Sequence, residues 1–390
     1  MSVWAGNIGD VQNDQLIKQI LTQYHRDGIM DRKKISCLLK AEHGVTMSEA
    51  TVARCWQQFG LLGSAQSTHS LPGPTKRQLV LNQLAQDPLH CRGPRLVCEA
   101  IMADTGHLLT RQYVTDKMRY HKPDGFTQWE PLKKKVSRQP LVSLGPHHQW
   151  SGDGHNKLSK IGFPIWAIRD QWSRKWLGMW VVPNNRLRTS IAYLYLSLIY
   201  ETGGMPLQMT TNCGSETTKV YGFTTALSVH NITIKCGWLH VRLQWGDNVK
   251  VFWEAGEEIY NEIHDNSMAT YDFFFLLWLW PQLIQQELDK LKHRLNTHTV
   301  RFDWNKILPS GVSSNIAMAL YKDYDAEDCL QYVDRDVVKN LMVEIGGKDL
   351  VRFVNTEYSA HAQLIFDDLG FKDLTFQNVW PIFSVMLPLM

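Results

Sequence analysis

Asp153 lies in the stretch 149–160, QWSGDGHNKLSK, between Gly152 and Gly154, with His155 and Lys157 just behind it. A carboxylate where backbone can approach closely, beside a cation, is what a hard-metal or phosphate site requires. The tripeptide also reads as a tight turn, since glycine and aspartate favour turns. His147, His148 and His155 put imidazoles nearby, but no second cluster turns them into a transition-metal site. Among other acids, Asp170, at the end of an apolar run, and Glu216, Glu254, Glu257 and Glu258 each read as solvated surface groups.

The 390 residues are 44% hydrophobic and 20% charged, enough for two or three globular domains with a real core. Seven cysteines (Cys37, Cys55, Cys91, Cys98, Cys213, Cys236, Cys329) are scattered without zinc-ligand spacing and read as thiols of a reducing compartment. The N-terminus lacks the basic start and apolar run of a signal peptide, which argues against secretion. The run 271–284, YDFFFLLWLWPQLI, is too short to span a bilayer and reads as a buried helix, so no membrane partner is expected. The net charge of +3 conceals an uneven distribution. Residues 1–150 hold 19 Lys/Arg against 12 Asp/Glu, residues 151–250 hold 11 against 5, and residues 251–390 hold 11 against 21. A basic front and middle suggest a polyanionic partner.

The elements around Asp153 divide into two textures. Over 14–63, helical spacing of Ile17, Ile20, Leu21 and Tyr24, of Ile35, Leu38 and Leu39, and of Val52, Trp56 and Phe59 predicts three short helices, the last capped by Ser48. With the turn EHGVTM before the third helix they resemble a helix-turn-helix, whose outward Glu49, Thr51, Arg54 and Gln57 would meet DNA. A small helical bundle without nucleic acid is the alternative. Residues 64–75 read as a linker by their Ser, Pro and Gly content. A second tri-helical unit is expected over 76–125, with Arg111, Gln112 and Thr115 facing out. A basic linker at 126–145, containing Lys133, Lys134 and Lys135, follows. The region 146–300 then changes to strands at His148–Gly152, Pro164–Asp170 and Trp176–Val182, a helix at Thr189–Thr202 and a fourth strand at Leu207–Thr211. Helices at Val249–Glu262 and Asp272–Leu295 come after it. Residues 301–390 read as an acidic C-terminal extension.

Taken together, the helix-turn-helix units, QWSGDGHNKL, TTNCGSET, SVHNITIKCGW and WPQLIQQELDKLKHRLNTH resemble the integrase-core proteins of fungal genomes. These are relatives of retroviral-type integrases and DDE transposases, proteins of transposable elements. The resemblance implies an α/β ribonuclease-H-like core, a mixed sheet with flanking helices, preceded by an all-α tandem helix-turn-helix region. In such a core the first and fourth strands lie side by side. It further implies DNA integration chemistry: two Asp and one Glu hold two Mg²⁺ or Mn²⁺ roughly 3.5–4 Å apart, one activating the attacking oxygen and one stabilising the leaving oxygen.

Carried over by position, the metal-binding and catalytic residues are Asp153, then Asn212 where the family has Asp, then Lys235 where it has Glu. The triad charge thereby changes from −3 to 0. At an effective dielectric near 20 each unit beside a dication is worth several kcal/mol, which predicts weak or absent metal binding. The 23-residue interval from Asn212 to Lys235 is also short, as if a segment were missing at Ala226-Leu227-Ser228. The expected protein is a transposon-derived DNA-binding protein with a degenerate active site, nuclear or cytoplasmic, reading DNA through Arg54, Gln57, Arg111 and Gln112. The resemblance also implies a homo-oligomer. An active metal-dependent DDE enzyme and a decayed product without selected function are the alternatives.

Overall fold

The computed structural model describes residues 11–121, 143–212, 223–226, 232–263, 269–304, 306–371 and 373–390. It divides into two compact units. The first comprises residues 1–142 and 294–326, and the second residues 143–293 and 327–390. The stretch 301–390, expected as one extension, is therefore shared between both.

The first unit is helical. Helix α1 (Val11–Arg26) buries Ile17, Ile20, Leu21 and Tyr24, one face at 3.6-residue spacing. Asp31 caps α2 (Arg32–His43) by accepting from the Lys33 and Lys34 amides, and Gly44 ends it in the left-handed region. Ser48 caps α3 (Glu49–Gln58) by accepting from the Thr51 amide. The expected linker at 64–75 is instead helical, with α4 at Ser64–Ser70 and α5 at Gly73–Ala85. Its prolines and glycine reflect a helix start: Pro72 is the N-cap of α5 and Pro74 lies in its first turn, where a missing N–H costs nothing. Thr68 ties α4 down, taking the Thr110 amide on its hydroxyl at 2.8 Å and Lys76 Nζ on its carbonyl at 2.8 Å. Helices α6 (Pro94–Thr105) and α7 (Arg111–His121) close a second core of Val80, Val97, Ile101, Leu109 and Val114.

The second unit is a mixed α/β structure. Strands β1 (Gln149–His155), β2 (Ile165–Asp170) and β3 (Trp176–Val181) form an antiparallel meander. Helix α8 (Arg188–Thr202), closed by Gly203 in the left-handed region, and the two-residue β4 (Gly204–Met205) lead to β5 (Gln208–Asn212). Strand β5 lies parallel to β1 and also parallel to β6 (Phe223–Ala226), giving the order β3-β2-β1-β5-β6. Trp150, Ile168 and Met209 pack with Leu198 and Ile199 of α8 on one face of this sheet.

On the chain that follows, α9 (Ile232–Val241), a π turn (Arg242–Gly246) and α10 (Asp247–Ile263) run on without a break. Helix α11 (Ala269–Thr297) continues through Pro281. Helix α12 (Ser314–Ala319) belongs to the first unit. Strand β7 (Gln331–Tyr332) pairs with β4, and α13 (Arg335–Glu344) packs on α8. Helices α14 (Thr356–Asp368) and α15 (Val379–Met386) complete the fold, with Trp380 and Phe383 of α15 packed on Trp253, Trp280 and Phe275. No helix among the described residues is long and apolar enough to cross a membrane.

Candidate functional site

Asp153 lies in the middle of paired strand, not in a turn. It stands opposite Ala167 of β2, and its glycine neighbours serve close packing within the sheet. A Cβ on Gly152 would come within 2.6 Å of the Met209 methyl and 3.1 Å of the Trp166 ring, and one on Gly154 within 2.8 Å of the Asn185 amide. Bulk is excluded on that face because Trp166 and Met209 already fill it. Alternation along the strand then sends Asp153 and His155 to the opposite face.

The parallel register of β1 and β5 pairs Gly152 with Thr211. Asp153 and Asn212 are the next residues along these neighbouring strands, so the first two expected positions come side by side, Asn212 as the last residue of β5. The side chain of Asn212 lies outside the described residues, as do residues 213–222 and 227–231 of the shortened interval.

Helix α9 lies over the Asp153 face. Trp238 donates its indole N–H to Asp153 Oδ2 at 3.2 Å and stacks on the His155 ring at a centroid distance of 4.7 Å. Lys235 precedes Trp238 by three residues and shares its helix face. What lets α9 approach so closely is Gly237, whose added Cβ would meet the Trp176 ring at 2.4 Å and Arg169 Nη1 at 2.6 Å. Arg169 in turn holds the helix start. Its side chain is half-buried and its guanidinium donates to the Thr233 carbonyl at 2.8 Å and the Arg174 carbonyl at 2.7 Å, beneath the Trp176 ring at 4.9 Å. Those carbonyls and the ring offset the cost of burying the charge.

The sequence reading did not single out Trp238, Gly237 or Arg169. The Gly-Trp dipeptide inside a helix one turn after Lys235 was the available signal, because a glycine there weakens a helix unless something must come close.

Cations act on His155, two residues from Asp153 along the same strand. Burial pushes the His155 imidazole down to about 4, and Lys157, Lys250 and Arg242 push in the same direction. Its Nε2 is buried without a hydrogen-bond partner. Asp170, expected at the surface, is instead wholly buried and accepts from the His147 amide, the Ser173 amide and the Ser173 hydroxyl. Burial raises its pKa and these three donors oppose the rise. It closes the end of the sheet and is no substitute ligand. Glu254 is exposed on α10.

Two divalent ions need several charged oxygens facing one point. The donor set here does not fit them. One oxygen of Asp153 is engaged by an indole N–H, the second position is a neutral amide, and the third is an ammonium-bearing side chain on the covering helix. Among the described residues no group of three His, Cys, Asp or Glu side chains is placed to hold a metal.

The proposed DNA-facing residues all belong to the first unit. Arg54 and Gln57 are exposed on α3, Arg54 donating to Thr51 Oγ1 at 3.2 Å. Arg111 and Gln112 are exposed on α7, and Gln112 donates to the Asp116 carboxylate at 2.9 Å. No protein-family model matches the chain, and no curated protein matches it either.

Proposed function

We propose that this chain is a transposon-derived, integrase-like protein that binds DNA and has lost strand-transfer chemistry. The reading is supported above all by the parallel pairing of β1 with β5, which sets Asp153 beside Asn212 within the order β3-β2-β1-β5-β6. That order, with helices on both faces, is the arrangement expected of a ribonuclease-H-like core. The covering helix carries Lys235 where the family has its Glu, and its Trp238 occupies an Asp153 oxygen.

Loss of chemistry follows from charge. Two phosphoryl-transfer metals rely on negative ligands to offset their mutual repulsion, and a neutral amide and a lysine supply none. DNA binding draws on the excess of 19 Lys/Arg over 12 Asp/Glu in residues 1–150 and on the exposed polar faces of α3 and α7. Tandem helical readers lengthen the contacted site and add phosphate contacts.

The test uses the purified full chain with duplex DNA. Retention that weakens steeply with salt, without nicking in Mg²⁺ or Mn²⁺, is the expected result. Metal-dependent cleavage that Asp153→Ala abolishes would establish an active enzyme instead. A chain that neither retains DNA nor melts cooperatively would point to a decayed product.

A further inference from the structure

Among the described residues one tryptophan is exposed. Trp304, 89% exposed, stands on a loop of the first unit over residues 300–312. An apolar ring of this size left in water forgoes the stabilisation that burial would give it. The loop is nonetheless built to hold it there. The Val300 amide donates to the Val312 carbonyl at 3.2 Å and closes the base. Further out, the Asp303 amide donates to Ser310 Oγ at 3.1 Å and ties the two sides together. Phe302 lies on Gly311, where φ is +78° and a Cβ would meet the ring at 3.1 Å. Trp304 packs edge-on against Phe302 at a centroid distance of 4.6 Å. Arg301 and Lys306 are exposed on either side of Trp304, and the acid between them, Asp303, lies 4.0 Å from Lys306 Nζ.

The loop is attached to both three-helix groups. Just before it, Arg95 of α6 donates to the Thr299 carbonyl at 2.9 Å, and Glu99 of the same helix hydrogen-bonds His298 at 2.8 Å. Just after it, α12 packs on α2. Helix α6 packs in turn on α7, and α2 on α3, the helices expected to read DNA. We propose that this loop is a stacking finger for DNA, in which Trp304 covers the face of an unpaired base while Arg301 and Lys306 meet the phosphates beside it. The inference rests on the proposed DNA partner and assigns it a contact outside both readers. A base suits the loop better than a lipid or an apolar protein pocket. Every base offers a flat π face to an aromatic ring, and the flanking cations suit the polyanionic strand that carries it. Because Phe302 already holds the indole in place, little freedom is lost when it stacks.

The test titrates the full chain with a fully paired duplex and with the same duplex carrying an unpaired 2-aminopurine bulge. The bulged duplex should bind more tightly, with its 2-aminopurine fluorescence quenched. Trp304→Ala should lower affinity for the bulged duplex about tenfold and relieve the quenching, while changing affinity for the paired duplex less than about twofold. Trp304→Phe should keep most of both effects, and both variants should melt at the wild-type temperature because the ring is exposed. Equal losses on the two duplexes would overturn stacking and leave an ordinary groove or backbone contact. Unchanged affinity for both would overturn the finger and leave DNA binding by α3 and α7 standing. Loss of binding to phosphatidylserine vesicles in Trp304→Ala, with DNA binding intact, would overturn it in favour of a membrane contact. No retention of either duplex by the wild-type chain would remove the DNA partner and the finger with it.

Discussion

His155 shows how one residue couples the site to stability. Burial, and after it the nearby Lys157, Lys250 and Arg242, hold its pKa at about 4, below the ordinary value of 6.5, so the folded state binds its proton more weakly than the unfolded chain does. The stability this group contributes is present above about pH 6.5 and is lost as pH falls towards 4. His155→Phe keeps a ring against Trp238 and removes the proton. The difference in melting temperature between wild type and variant should therefore shift in favour of the variant as pH is lowered from 7.5 to 4.5. Parallel pH profiles would show that His155 is not held neutral. Trp238→Phe makes a separate test at the same scale: it retains the stack but removes the indole N–H from Asp153, at a cost of about 1 kcal/mol in urea unfolding.

At the scale of elements, α9 is held on the sheet by a missing side chain. Any Cβ at Gly237 runs into Trp176 and Arg169, and neither can retreat readily. Arg169 is anchored by two carbonyls and Trp176 belongs to β3. Gly237→Ala should destabilise the second unit by about 1–3 kcal/mol despite alanine's better helix propensity, the usual cost of overpacking. A denaturant titration showing a gain would mean that α9 stands further from β1 and that Lys235 does not lie over Asp153. The helical first unit depends on caps more than on such contacts. Ser48→Ala should cost about 1 kcal/mol by freeing the Thr51 amide.

Over the whole chain, the division of charge is the feature that bears on partners. The basic residues of the first 250 positions include those on α2, α3 and α7, while 21 of the 38 acids lie beyond residue 250. A chain that engages DNA through several helices has more phosphate contacts than any one of them could make by itself. Its affinity should fall on a log–log salt plot with a slope steeper than charge reversal of Arg54 and Arg111 alone can abolish. A slope that collapses to zero in Arg54→Glu/Arg111→Glu would place all binding on α3 and α7.

Much of this architecture was legible in the sequence because it rests on local signals. Helical hydrophobic spacing and apolar strand-like runs, together with Ser48 as a cap, located α2, α3, α8 and the meander of β1 to β3 within one or two residues, apart from a β1 that runs on to His155. The same local reading misjudged 64–75, where Pro72 and Pro74 start a helix rather than break one. It also left the tripeptide at Asp153 open between turn and ligand, since backbone preference alone cannot distinguish them. Only the tertiary structure decided that its glycines make room for Trp166, Met209 and Asn185. Only the tertiary structure, likewise, brought Trp238 onto Asp153 across 85 positions of chain and buried Asp170 under three hydrogen bonds. Local propensity acts over a few neighbouring residues, whereas the charge and solvation of a site are set by groups the fold gathers from distant segments.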